Sequence, residues 1–181
     1  MEAVAFLTDR ADIHAKCITE VGLTEFAIHA LRLGNGQIAL CQMPGRGGDY
    51  PADLEQVIGW RPALVLTMAT GRELLAQGAV TLRDDLNRRG VNWRHLPVAD
   101  FEADSPALDG GWAEVSALAR SFLLSGGRVL VHCMGGCGRS GMAVLRLMVE
   151  AGEPVDAALI RLREVRPCAV ETGAQLAWAS R

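Results

Sequence analysis

Residues 131–141 read VHCMGGCGRSG, with two cysteines, one histidine, one arginine and four glycines in eleven positions. Three chemistries fit parts of this stretch. A structural zinc site wants two close pairs of ligands. Only Cys133 and Cys137, beside His132, come close together here, and Cys41 and Cys168 stand alone, so no metal site is expected. A nucleotide-binding loop reads Gly, four residues, then Gly-Lys-Ser/Thr. Gly138-Arg139-Ser140 follows four residues after a cysteine, and Arg139 stands where lysine is required. The third chemistry uses every residue. Cys133, five residues, Arg139 and Ser140 form the spacing C-x5-R-S. A strand delivers the cysteine to a tight loop, and the loop opens into a helix. Successive loop N–H groups and the helix N-terminus then form a positive nest that stabilises a thiolate and attracts a dianion. Gly135, Gly136 and Gly138 permit the bend. Arg139 supplies a planar fork for two phosphate oxygens, which lysine cannot match. Ser140 can donate a hydrogen bond to the Cys133 sulfur. An isolated cysteine reads as an inert buried thiol; this spacing makes Cys133 a nucleophile.

The flanks fit that reading. RVLVH, 128–132, is a continuous apolar run suited to a buried strand, and an apolar helix follows from about residue 140 to 150. Upstream, FAIHALRLG (26–34) and QIALCQMP (37–44) flank the turn signal Gly34-Asn35-Gly36 and predict a hairpin. PGRGGDYPAD (44–53) reads as a loop, 54–60 as a short helix, 63–68 as a strand, 72–77 and 81–89 as helices, and 92–98 as a strand. ADFEADSPALDGG (99–111) reads as an exposed acidic loop before a helix over 112–124. Helical spacing returns around Val155–Val165 and over 171–179. Helices interleaved with buried strands predict an α/β fold, with a central, mostly parallel sheet flanked by helices and the signature loop between a buried strand and a helix.

The 181-residue length suits one domain, 1–181. A net charge of −3 gives no field for nucleic acid. No apolar run reaches the roughly 18 residues of a membrane span, and the N-terminus MEAVAFLTDRADIH is a poor signal peptide. Five scattered cysteines (17, 41, 133, 137, 168) read as free thiols in a reducing cytoplasm.

The intact H-C-x5-R-S signature, His132, Cys133, Arg139 and Ser140, resembles that of the cysteine-dependent protein tyrosine and dual-specificity phosphatases. LPVADFEADSP (96–106), HCMGGCGRS (132–140), MPGR (43–46) and AVETGAQ (169–175) look like the cyclin-dependent-kinase-associated phosphatase branch, over about residues 42–176. The resemblance implies a phosphatase fold, no cofactor, and hydrolysis of phosphomonoesters through a cysteinyl-phosphate intermediate. It places the phosphate on Met134, Gly135, Gly136, Cys137, Gly138 and Arg139, with His132 orienting the loop. It assigns the general acid to Asp100, with Glu102 and Asp104 as rivals on the same loop. It assigns Gln175 to the water of the second step; an ordinary helix-surface glutamine is the alternative.

Other residues keep two readings. Arg46 either lines the pocket mouth or is solvated. Arg161, Arg163 and Arg166 read as a polar helix face, and His14, His29 and His95 as structural. Cys137 is not required by the mechanism: it either packs beneath the loop or forms a protective disulfide with Cys133, for which Cys41 is another candidate. Cys168 has no evident role. The lysine-free loop disfavours polyphosphorylated inositides, and the lone Tyr50 leaves no evident phosphotyrosine-recognition loop. A shallow pocket taking phosphotyrosine and phosphoserine/threonine is therefore expected, on a phosphorylated protein or a small phosphomonoester. A phosphoprotein-binding pseudophosphatase and a thiol-based or arsenate reductase using Cys133 and Cys137 are the competing functions.

Overall fold

The computed structural model describes residues 25–181. His14, Cys17 and the N-terminal stretch read above lie outside the described residues. The hairpin forms as expected: β1 (Ile28–Leu33) pairs antiparallel with β2 (Gly36–Cys41), Leu33 opposite Gly36. β3 (Leu64–Thr67), β4 (Asn92–His95) and β5 (Arg128–His132) complete a five-stranded sheet in the order β1-β2-β5-β3-β4. Every pairing after the hairpin is parallel: β2 with β5, β5 with β3, and β3 with β4.

Seven helices among the described residues cover both faces: α1 (Tyr50–Gly59), α2 (Gly71–Ala76), α3 (Leu82–Arg88), α4 (Pro106–Leu124), α5 (Gly138–Glu150), α6 (Val155–Val165) and α7 (Gly173–Ala179). β5 lies mid-sheet, so both of its faces are buried and its sequence is apolar without alternation. Val129 and Val131 face a core with α4, α5, α6 and α7, and Leu130 faces a second core with α1, α2 and α3. Ten of the thirteen residues of α5 are buried. Each of its large apolar side chains contributes roughly 1.5–3 kcal/mol by leaving water, so packing rather than helix propensity fixes its position.

Two helix starts lie a turn or more from expectation. α1 begins at Tyr50 because the Asp49 side chain accepts from Ala52 N and Pro51 suits the first turn. α4 begins at Pro106, inside the stretch read as a loop, because Ser105 accepts from Leu108 N. Gly110 and Gly111 hid this first turn from a reading based on apolar spacing.

The cysteines also correct the sequence reading. Cys137 is joined to Cys168 in a disulfide, while Cys41 and Cys133 are free and buried. No bond joins Cys133 to either proposed partner. Burial, and then the nearby Cys133, push the Cys41 thiol well above its ordinary value, which keeps it protonated and a poor attacking group.

Candidate active site

In a parallel sheet the carboxyl ends of neighbouring strands lie side by side, and the loops leaving them converge. Thr67, at the end of β3, is in register with His132 at the end of β5 and with His95 at the end of β4. Segments far apart in sequence therefore meet around residues 133–139.

The Cys133 sulfur lies 3.3 Å from Ser140 Oγ. Four successive carbonyls of the loop are turned away from the hollow. Met134 O accepts from Met43 N at 3.2 Å, Gly135 O and Gly136 O accept from Arg166 at 3.0 Å each, and Cys137 O accepts from Gly141 N and Val170 N. Turning carbonyls outward faces the intervening N–H groups inward, as an anion nest requires. Gly136 makes the bend at φ +68, and a Cβ there would stand 2.5 Å from the Cys41 and Gln42 backbone, so only glycine fits.

Arg139 is 1% exposed. Its Nη1 and Nη2 each donate to a different Glu73 oxygen at 2.8 Å, Nη1 also donates to Val98 O at 2.9 Å, and Nη2 lies 3.0 Å from Asp100 Oδ1. Glu73 is itself fixed by a capping box: it accepts from Thr70 N at 2.7 Å and Thr70 Oγ1 at 2.8 Å at the start of α2. Burial works to raise the Glu73 carboxyl, but the hydrogen bonds from Arg139 and Thr70 prevail and hold it down at about 2. Burial likewise opposes the charge on Arg139, and Glu73, Cys133 and Asp100 overcome it and raise its value. Arg139 Nε, by contrast, is buried and finds no acceptor among the described residues.

Behind the loop, His132 Nε2 lies 2.7 Å from Thr67 Oγ1, which accepts from Trp93 Nε1 at 2.9 Å. Burial, aided by nearby His95 and Arg139 and opposed by the adjacent Cys133 backbone, pushes the imidazole down to about 4. His132 is therefore neutral at physiological pH.

Of the acids at 99–104, Asp100 brings its carboxylate to Arg139 while its side chain stays 54% exposed. Glu102 engages through its backbone: Gln175 Nε2 donates to Glu102 O at 3.4 Å. Gln175 is fully buried, not a surface residue, and its Oε1 accepts from Glu171 N at 2.9 Å and Thr172 N at 3.3 Å in the capping box of α7. A Cβ at Gly138 would stand 2.8 Å from either polar atom of that amide, so Gln175 abuts the signature loop. Arg46 is exposed, and its Nη1 would be 3.6 Å from a Cβ at Gly135, which puts its charge at the loop's rim. The loop carrying it is pinned by Asp53, whose Oδ2 accepts from Gly45 N at 2.8 Å.

The three arginines read as a polar face are all anchored: Arg161 to Glu153 and Arg32 O, Arg163 to Ala169 O and Val170 O, and Arg166 to the signature loop and His29. Arg166, Glu73 and Cys168 are the residues around the site that sequence reasoning missed. Thr70-x-x-Glu73 has the spacing of a helix capping box, and nothing in that spacing points to Arg139. Among the described residues, no cluster of three or more His, Cys, Asp or Glu could hold a metal ion, and no helix is long and apolar enough to cross a membrane.

No protein-family model matches the chain, and no curated protein sequence does. Solved structures do. The chain superimposes on kinase associated phosphatase (KAP), solved with its catalytic-site cysteine replaced by serine, at TM-score 0.75 and 21% identity, covering 86% of this chain and 93% of that one. PTPMT1 in complex with PI(5)P shares the fold at TM-score 0.65 and 16% identity, covering 84% and 92%. Tk-PTP in its active form is 31% identical at TM-score 0.65, covering 83% of this chain and 92% of that one. With that identity over nearly the whole of Tk-PTP, the chain belongs to the cysteine-dependent protein tyrosine and dual-specificity phosphatase superfamily.

Proposed function

We propose that this chain is an active, metal-independent phosphomonoesterase acting on phosphorylated proteins, of tyrosine or dual specificity, through a cysteinyl-phosphate intermediate. The observation that carries the reading is the buried Arg139 Nε with no acceptor among the described residues. A buried donor left unpaired is costly. It is retained where a ligand oxygen completes it, and Arg139 already spends Nη1 and Nη2 on Glu73.

The chemistry follows from placement. The inward N–H groups and Arg139 Nε hold the phosphoryl oxygens over Cys133, whose sulfur attacks phosphorus as the ester oxygen leaves. Asp100, entering this step protonated and released from Arg139, gives that oxygen its proton, a transfer typically worth about 10²–10⁴ in rate. Ser140 Oγ supports the sulfur as it is later displaced. Gln175 then places a water against the cysteinyl phosphate, and Asp100 takes back a proton. For that step the Gln175 amide must exchange its bond to Glu102 O for one to water.

An exposed arginine at the rim and no lysine in the loop favour a single phosphate on a protein surface over a polyphosphorylated inositide. The Cys137–Cys168 bond removes Cys137 as a partner for Cys133, which speaks against the thiol-reductase reading. A cytoplasmic site of action belongs to the same proposal. In that compartment disulfides form and break rather than persist.

The test is hydrolysis of p-nitrophenyl phosphate with a chelator present, in wild type and Cys133→Ser. Activity should survive the chelator and vanish in the variant, and acid quenching should trap phosphate on Cys133. Phosphate binding without turnover in the wild type would instead make the chain a pseudophosphatase. Asp100→Ala should lose about 10²–10⁴ on an alkyl phosphate and far less on the nitrophenyl ester, whose leaving group departs with little help. Equal losses on both would remove Asp100 as the acid.

A further inference from the structure

The Cys137–Cys168 disulfide is the one covalent tie between the signature loop and the segment joining α6 to α7. Both ends matter. Cys137 is the residue before α5, and its carbonyl accepts from Gly141 N at 2.8 Å and Val170 N at 3.4 Å. Cys168 sits between Arg166, which grips Gly135 O and Gly136 O, and Val170, a β-branched residue held at φ +64. A left-handed conformation is strained for such a residue and persists only where its surroundings enforce it. Here it is held by the nearby disulfide, by the grip of Arg163 on Ala169 O and Val170 O, by its own bond to Cys137 O and by burial of its side chain in the core.

We propose that this disulfide holds the phosphate loop in its anion-binding form, so that a dithiol reductant weakens oxyanion binding while leaving the Cys133 thiol unchanged. The inference rests on the phosphatase reading above. Its sense is opposite to inactivation by oxidation of a nucleophile: here the oxidised protein is the competent one. Cys137 is partly exposed and Cys168 is buried, so the reductant's thiolate attacks the Cys137 sulfur. The Cys168 sulfur leaves and takes a proton, and the reductant's second thiol then displaces Cys137. Two electrons and two protons pass to the protein, and the reductant departs as a cyclic disulfide. The strained turn at Val170 is then free to relax, with loss of its bond to Cys137 O and of the register that lets Arg166 hold the neighbouring carbonyls.

Tungstate, an unreactive oxyanion, is the probe, titrated calorimetrically against the full chain before and after dithiothreitol, with free thiols counted in each state. A loop ordered in advance avoids paying its ordering cost on binding, so reduction should weaken tungstate affinity about tenfold, and reoxidation should restore it. Cys168→Ser should bind weakly in both states, with far-UV circular dichroism confirming that it is folded. Should that variant not fold, the reversible titration of the wild type decides alone. Unchanged affinity after two additional thiols appear overturns the inference and leaves the phosphatase reading intact. Free Cys137 and Cys168 under air likewise overturn it. Failure to bind tungstate in either state overturns the phosphatase reading, and this inference with it.

Discussion

Arg139 and Arg146 stand about two turns apart on α5, and each is paired with a glutamate. Arg146 is consumed by its surroundings. Its Nε donates to Glu150 at 3.2 Å, its Nη1 donates to Trp178 O at 3.2 Å, and its guanidinium lies 4.3 Å from the Trp178 ring centroid and 5.4 Å from that of Trp112. Glu150 is in turn held by Trp112 Nε1 and Ser116 Oγ. Arg139 is more deeply buried and has an equally good carboxylate partner, yet it keeps Nε in reserve. The difference separates an arginine whose guanidinium is taken up by carboxylate, carbonyl and indole partners from one that keeps a buried donor unpaired among the described residues. Burial and a salt bridge do not distinguish them; the unspent donor does.

Exchanging each arginine for lysine tests this contrast most severely. Arg139→Lys should lower kcat/KM by about 10²–10³, as loss of a preorganised donor does. Arg146→Lys should leave kcat/KM near wild type and cost about 1–3 kcal/mol of unfolding free energy in urea, through lost stacking and hydrogen bonding. A rate loss in Arg146→Lys that matches Arg139→Lys would erase the distinction.

The glutamates give a smaller effect. Glu73→Gln removes the charge that aims Arg139 and should lower kcat/KM by about 10–100-fold, the scale of a displaced catalytic group. Glu150→Gln should appear in thermal melts and not in kinetics. A Glu73→Gln enzyme with wild-type rate would mean that Val98 O and Asp100 alone suffice to orient the guanidinium.

The smallest effect concerns pH. His132 is buried neutral, with its proton affinity pushed down to about 4. Between pH 7 and 5 the unfolded imidazole gains a proton that the folded one refuses, so stability must fall with pH in that window, by about 1–2 kcal/mol. Glu73, held at about 2, sheds its stabilising contribution below pH 4.5 and does not confuse the measurement. His132→Gln, which keeps an amide near Thr67, should flatten the pH 5–7 slope in urea titrations. A slope unchanged from wild type would place the titrating group elsewhere.

What was legible in the sequence was local. The hairpin at Gly34 and the apolar run of β5 are each written within a dozen residues and stand in the structure as read, and the spacing from Cys133 to Ser140 brings those two side chains within 3.3 Å. Asp100 was placed by resemblance, and the structure brings its carboxylate to Arg139. The missed residues are long-range. Glu73 lies 66 positions from Arg139, and they meet only because β3 is the neighbour of β5, an adjacency that periodicity does not encode. Arg166 looked like a solvated helix residue because its acceptors are backbone carbonyls, which carry no sequence signal. Cys168 found its partner across 31 residues, through a turn that depends on the unexpected backbone of Val170.

The Trp93 indole donates to Thr67, Thr67 contacts His132, and His132 precedes Cys133. Of the four tryptophans in the chain, Trp112 and Trp178 pack edge to face against each other beside Arg146, remote from this relay. Indole emission shifts with the polarity and hydrogen bonding around its N–H. The molecule thus carries an intrinsic optical reporter behind the Cys133 sulfur, through which changes at the signature loop can be followed in real time without a label.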